Sequence, residues 1–185
     1  DPADAIAHIN LGMTQILIGD FENGLSEYEW RWQHKDIPKI NFSQPLWDGS
    51  ALDGRRILIW AEQGFGDTLQ FIRYAPMLAQ MGGRAIVRCP STLVQLIASM
   101  PSVAMAIAEG EPLPDFDVHA QMLSLPKLLH TTVANIPAQV PYIQPDLWQC
   151  EAIAKNSLPI DTLNVGIVWA SGYRDKSDGL SFYHK

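Results

Sequence analysis

Between residues 55 and 145 short apolar runs alternate with helix-length segments, and this alternation narrows the fold more than any other feature. Arg56-Ile57-Leu58-Ile59-Trp60-Ala61 is apolar after its first residue, without the alternation of a half-exposed strand, so it reads as a strand covered on both faces. Gln63-Gly64-Phe65-Gly66-Asp67 reads as a turn. Thr68 to Met81 is predicted as a helix with Leu69, Ile72, Ala75 and Ala79 along one side; Pro76 should bend it and Gly82-Gly83 close it. Further strands are expected at Arg84–Arg88, Val103–Ala108 and Phe116–Ala120, with a helix from Ser91 to about Ser99 placing Leu93, Val94, Leu96 and Ile97 inside. Strands parted by helices need crossovers, which predicts a three-layer α/β domain with a mostly parallel sheet.

Other segments attach to this domain. Residues 1–36 read as a helical hairpin. Ala5, Ile6, Ile9, Leu11, Met13, Ile16 and Leu17 give the first helix an apolar face, Gly19-Asp20 makes the turn, and Phe21, Leu25, Tyr28 and Trp32 form the second stripe. Residues 37–54 read as a linker punctuated by proline and glycine, without regular structure, whose Trp47 plugs a groove between the hairpin and the next domain. The α/β domain is expected over 55–162, less regular from Thr131 to Pro145, with a helix over Asp146 to Asn156. Leu163 to Ala170 reads as a buried strand, so 163–185 is expected to begin a second α/β domain that is cut short. The chain opens on Asp1-Pro2, without Met or leader, and is read as excised from something longer.

Composition removes several function classes. The formal charge is -7, from 20 acids against 13 bases, and no basic tract exceeds Arg55-Arg56, which disfavours nucleic acid or an anionic membrane as partner. No apolar run approaches the roughly 18 residues of a membrane span. Cys89 and Cys150 alone cannot make a disulfide framework or a Cys-rich zinc site and fit a reducing compartment, which points to the cytoplasm. His8, His34, His119, His130 and His184 lack ligand spacing, so no metal or other cofactor is expected. Glu109, Glu111, Asp115 and Asp117 read as a solvated acidic loop, His119 as a structural histidine, and Trp30 and Trp32 as packing residues.

The turn holds the chemistry. Glycines 64 and 66 let the backbone bend and a ligand come close, and the helix they open offers unpaired N–H groups to an anion. The third glycine of the dinucleotide fingerprint is missing. Asp67 reads as a helix N-cap, as a residue facing a ligand crevice, or as both.

Two resemblances sharpen this. Pro2, Asn10-Leu11-Gly12, Gly19 and Tyr28 keep the register of one tetratricopeptide repeat, a unit of about 34 residues, although Gly24 stands where Ala is usual and His8 where Trp is common. An ordinary amphipathic hairpin fits the same apolar spacing. Ile57 to Gln70, with its strand, Gly-Asp loop and proline-bearing helix, resembles the opening of glycosyltransferase family 9 domains, the heptosyltransferase relatives. Tyr28-Glu29-Trp30-Arg31-Trp32, Pro45-Leu46-Trp47-Asp48-Gly49 and Val165-Gly166-Ile167-Val168-Trp169-Ala170 resemble, in the same order, segments of bacterial proteins that fuse such repeats to that domain.

The resemblance implies a GT-B fold of two facing Rossmann-like domains. The acceptor-side domain would lie in this chain, and the nucleotide-sugar would be bound by the domain begun at residue 163. Asp67 would be the catalytic base, with Gln63, Gly64, Phe65, Gly66 and Gln70 around the substrate. Ser171 and Lys176 would contact the donor phosphates, although Ala170-Ser171-Gly172 departs from the subgroup's Ala-Gly pattern. The acceptor would be a glycan, lipid or protein, and the repeat would take a protein partner. A non-catalytic repeat module with a degenerate α/β domain, and a nucleotide-binding domain of another class, are the competing readings.

Overall fold

The computed structural model describes residues 2–35, 37 and 39–144. Its centre is β1 (Arg56–Trp60), which pairs in parallel with β2 (Arg84–Cys89) on one side and β4 (Val118–Gln121) on the other; β3 (Val103–Ala108) lies outside β2, giving the order β3-β2-β1-β4. The unbroken apolar run of β1 is explained by this place, since Ile57, Leu58 and Ile59 are fully buried and Trp60 nearly so. Ile57 and Ile59 join Ala85, Val87, Ile72, Leu78 and Leu52 in the main core. Leu58, Ile86, Ile107 and Phe116 form a smaller cluster, against which Phe42 and Leu113 pack. Each such side chain contributes about 1.5–3 kcal/mol by leaving water.

The crossover from β1 to β2 starts earlier than the sequence predicts. α3 runs Phe65–Phe71, a 3-10 turn covers Ile72–Tyr74, and α4 spans Ala75–Gln80. Pro76 sits in the first turn of α4, so the expected bend is a tightening of the helix just ahead of the proline, where its ring tolerates no helical carbonyl partner. The next crossover is a 3-10 turn over Ser91–Leu93 followed by α5 (Val94–Ala98); Ser91 does not cap it by a side-chain bond. After β4 a 3-10 turn over Met122–Ser124 leads into α6 (Leu125–Leu128), two elements the periodicity did not announce.

The linker is more ordered than its prolines suggested. Leu46 bridges His119 in parallel, Trp47 N–H donates to His119 O (2.7 Å), and His119 N–H donates to Pro45 O (3.1 Å). Trp47 joins the main core at 3% exposure, with its indole N–H donating to Ser50 O (2.9 Å).

The hairpin is α1 (Ala5–Leu17) folded back on α2 (Phe21–Tyr28), followed by a 3-10 turn over Glu29–Gln33 that contains Trp32. Asp4 caps α1 by accepting from Ile6 and Ala7 N–H, and Asp20 caps α2 by accepting from Asn23 N–H. The helices approach closely because Gly12 faces Gly24 and Tyr28. A methyl group on Gly24 would stand 2.8 Å from Ile16 N and 2.9 Å from Gly12 O, which explains glycine rather than alanine there. Residues 1–144 form one compact unit, hairpin included. No helix among the described residues is long and apolar enough to cross a membrane. The helix expected at Asp146–Asn156, the strand at Leu163–Ala170, and Ser171 and Lys176 lie outside the described residues.

Candidate functional site

β1 ends at Trp60, still paired with β2 and β4. Ala61 N–H still donates to Arg88 O (2.9 Å), and then Glu62 and Gln63 leave the sheet. Gly64 takes an extended backbone (φ -70°, ψ 175°) and opens α3. Asp67, three residues inside the helix, therefore does not cap forward as the sequence suggested. It reaches back, accepting the Gly64 N–H on Oδ2 (3.1 Å), which satisfies a donor at the helix start. Among the described residues Asp67 Oδ1 takes no hydrogen bond. Thr68 is buried beneath, with both its N–H (3.0 Å) and its hydroxyl (3.1 Å) donating to Gly64 O.

Neither glycine is demanded by strain. Gly64 has negative φ, and a side chain on Gly66 would meet nothing within 4 Å. What the turn offers is exposed backbone at a helix start, beside a partly buried carboxylate. Phe65 stands half-exposed on the same turn, and Gln63 Nε2 donates to Tyr28 Oη of the hairpin (3.0 Å).

Asp67 and Gln70 line a cleft of about 440 Å³ between the hairpin and the α/β part. Met13, Ile16 and Leu17 of α1 and Phe21, Leu25 and Tyr28 of α2 make one wall. Phe71, Arg73, Tyr74, Leu123, Pro126 and Ile136 complete it. The interior is thus mostly apolar, with one carboxylate, one amide and one guanidinium at its boundary. Arg73 is held in place: Nε donates to Gln70 O (2.9 Å), Nη1 to Pro137 O (3.0 Å), and the guanidinium lies 4.5 Å from the Tyr142 ring centre. Of the residues expected around the substrate, the structure brings Asp67 and Gln70 to the cleft. It leaves Gly64, Phe65 and Gly66 on the turn beside it, and uses Gln63 to tie the turn to the hairpin.

Behind the Tyr28 wall lies a cluster the sequence reading missed. Arg31 is 1% exposed. Its Nη1 donates to Glu29 Oε1 (2.6 Å); its Nη2 donates to Glu62 Oε1 (2.9 Å) and to Ser124 Oγ (2.7 Å). The guanidinium lies 4.8 Å from the Tyr28 ring centre and 4.7 Å from that of Trp32. Ser124 Oγ also meets both Glu29 oxygens (3.0 and 3.1 Å). Two carboxylates thus share one guanidinium, and the shorter contact belongs to Glu29. Burial pushes Glu62 up to about 7, against the pull of Arg31 and helped by repulsion from Glu29. Arg31 Nε and Glu62 Oε2 are buried without a partner among the described residues. The one available signal was an arginine inside the aromatic run Tyr28 to Trp32 together with an acid directly after a buried strand.

The remaining candidates are structural. His119 is buried against Phe42, and desolvation holds its imidazole below its ordinary value. Asp117 accepts the Arg56 N–H (2.7 Å) and so ties the acidic loop to β1. No cluster of His, Cys, Asp and Glu suited to a metal exists among the described residues. Trp30 stacks on His8 at 3.8 Å, and Trp32 packs on Trp60 at 5.6 Å.

Comparison with known proteins adds one likeness. Protein FlbA of Caulobacter vibrioides (strain ATCC 19089 / CIP 103742 / CB 15) is 24% identical over 181 residues, covering 84% of this chain. The chain spans about a third of that relative's length (30%). No family model matches the chain, and no solved structure does.

Proposed function

We propose that this chain is the acceptor-side part of a glycosyltransferase with a Rossmann-like sheet, in which Asp67 deprotonates the acceptor hydroxyl as it attacks a nucleotide-sugar. The observation that carries this reading is the position of Asp67. It follows the central strand, beside the point where the strand order turns from β2 and β3 back to β4, and it lines a cleft. Crevices at the carboxyl ends of strands at such a switch point are where open α/β sheets bind ligands. One carboxylate oxygen is held by Gly64 N–H, which fixes the other for proton transfer. The apolar lining suits an acceptor with an apolar group beside its hydroxyl. The donor would be bound by a further domain, with Ser171 and Lys176 at its phosphates, and the setting would be cytoplasmic. The GT-B arrangement and the repeat character of the hairpin belong to the same proposal.

The test is Asp67→Asn in the protein carrying both domains. The amide keeps the size of the carboxyl and an acceptor for Gly64 N–H but cannot take a proton. Transfer kcat should fall by about 10²–10⁴ with the melting temperature unchanged. An unchanged kcat in a folded variant rejects Asp67 as the base.

A second reading, a protein-interaction module, is favoured by the exposed apolar side chains of the first helix and its end: Met13 is 57% exposed, Leu17 86% and Ile18 75%. It predicts partner binding that survives Asp67→Asn and is lost on Leu17→Asp.

A further inference from the structure

We propose that Arg31 is a positioning residue. Its buried cluster with Glu29, Glu62 and Ser124 is an ionic latch that seats the hairpin as one wall of the Asp67 cleft. The proposal rests on reading that cleft as the working site. It changes what the hairpin is for: not an appendage, but half of the binding surface.

Four observations carry it. Arg31 sits on the 3-10 turn that ends the hairpin, yet its Nη2 reaches two residues of the α/β part, Glu62 beyond β1 and Ser124 beyond β4. Those two neighbours follow the adjacent strands on either side of the switch point, so the latch reads the geometry of the sheet at the place where the cleft opens. The guanidinium also backs the Tyr28 ring, which lines the cleft and whose hydroxyl accepts from Gln63 on the Asp67 turn. Finally, the contact set is fork-shaped, with Glu29 and the Tyr28 carbonyl on one terminal nitrogen and Glu62 and Ser124 on the other, which a lysine ammonium cannot reproduce.

The latch also carries an excess charge. The titratable groups facing Glu62 are Arg31 and Glu29, both from the hairpin turn. With all three ionised, one buried negative charge lacks a counterion. Burial raises the Glu62 carboxyl from an ordinary 4.5 to about 7, so the seated hairpin holds a proton that the unseated one releases. A group raised in the seated state is bound more tightly at low pH. Seating is therefore strongest below the ordinary value, weakens as pH rises toward 7, and is level above it.

Hydrogen exchange on the 185-residue chain, corrected for intrinsic rates, tests this by comparing amides of α1 and α2 with those of β1 and β2. Arg31→Lys should speed exchange in the helices by about tenfold or more while leaving the strands unchanged. In a His8→Gln background, which removes the imidazole response of α1, helix protection should fall between pH 5 and 7, and adding Glu62→Gln should remove that slope while keeping the helices protected. If Arg31→Lys does not fold, Ser124→Ala, which deletes one hydroxyl, should still speed helix exchange alone by about threefold. Equal loss of protection in helices and strands overturns the latch, as does an unaffected hairpin or a pH slope that persists when Glu62→Gln is added to His8→Gln. Failure of Asp67→Asn to lower transfer would sink the transferase reading and leave these exchange results standing.

Discussion

Gly12 and Gly24 face each other across the helical hairpin at a separation no alanine fits: a methyl group on Gly12 would stand 2.7 Å from Gly24 O, and one on Gly24 2.9 Å from Gly12 O. Either substitution gains roughly 1 kcal/mol of helix propensity but drives a carbon into backbone that cannot move aside. Overpacking of this kind costs about 1–3 kcal/mol. Gly24→Ala and Gly12→Ala should therefore lower stability in urea unfolding. A gain in either variant would mean that the two helices pack further apart.

Gly66 gives the opposite forecast. It is exposed, lies in the first turn of α3, and has open space where a side chain would go. Gly66→Ala should raise stability by about 0.4–1 kcal/mol. If a ligand approaches the backbone there, transfer kcat/KM in the protein carrying both domains should drop by about tenfold or more. More stability with unchanged transfer would remove the turn from the binding surface and leave Asp67 to be judged alone.

Trp47 anchors the linker beside β4. Trp47→Ala should lose about 3–5 kcal/mol in equilibrium unfolding. Trp47→Phe keeps most of the apolar contact and gives up the indole bond to Ser50 O, so it should lose less than the alanine variant. Equal losses for the two variants would show that the hydrogen bond, not the burial, holds the segment.

His8 supplies a second pH response in the hairpin. Its imidazole bonds Pro2 O (2.9 Å) and the Glu27 carboxylate and stacks on Trp30, and the Pro2 carbonyl and then Glu27 hold its pKa above the ordinary 6.5. The protonated form is favoured by folding. Its contribution is present in full below 6.5 and is lost as pH rises through the raised value. Imidazole proton shifts followed by NMR should show a midpoint above 6.5 that returns toward it in Glu27→Gln. The Glu62 response lies below about 7, so the single variants His8→Gln and Glu62→Gln separate the two.

The sheet was legible because its strands carry their burial in sequence. Ile57 to Ile59 sit in the middle of a sheet and are apolar at every position. The mixed α/β character, the parallel pairing and the Asp67 turn follow from that run and the glycines after it. The start of α3 was not legible, because Gly64 opens the helix with backbone alone and the conventional cap signal belonged to Asp67. The linker was misjudged for a related reason: prolines argue against a ladder, but Pro45 contributes a carbonyl and needs no N–H. Arg31 was hidden most deeply. Its local sequence says exposed charge among aromatics, and its partners Glu62 and Ser124 are brought to it only by the fold.

That last separation has a consequence for synthesis. Arg31 and Ser124 are 93 residues apart in the chain. At about 5–20 residues per second, Arg31 leaves the ribosome roughly 5–20 s before Ser124 does. Through that interval the guanidinium has Glu29, and then Glu62, but β4 has not yet been added beside β1. The nascent hairpin must wait for the last described strand before it can settle, which leaves its apolar helix open to a chaperone through that interval.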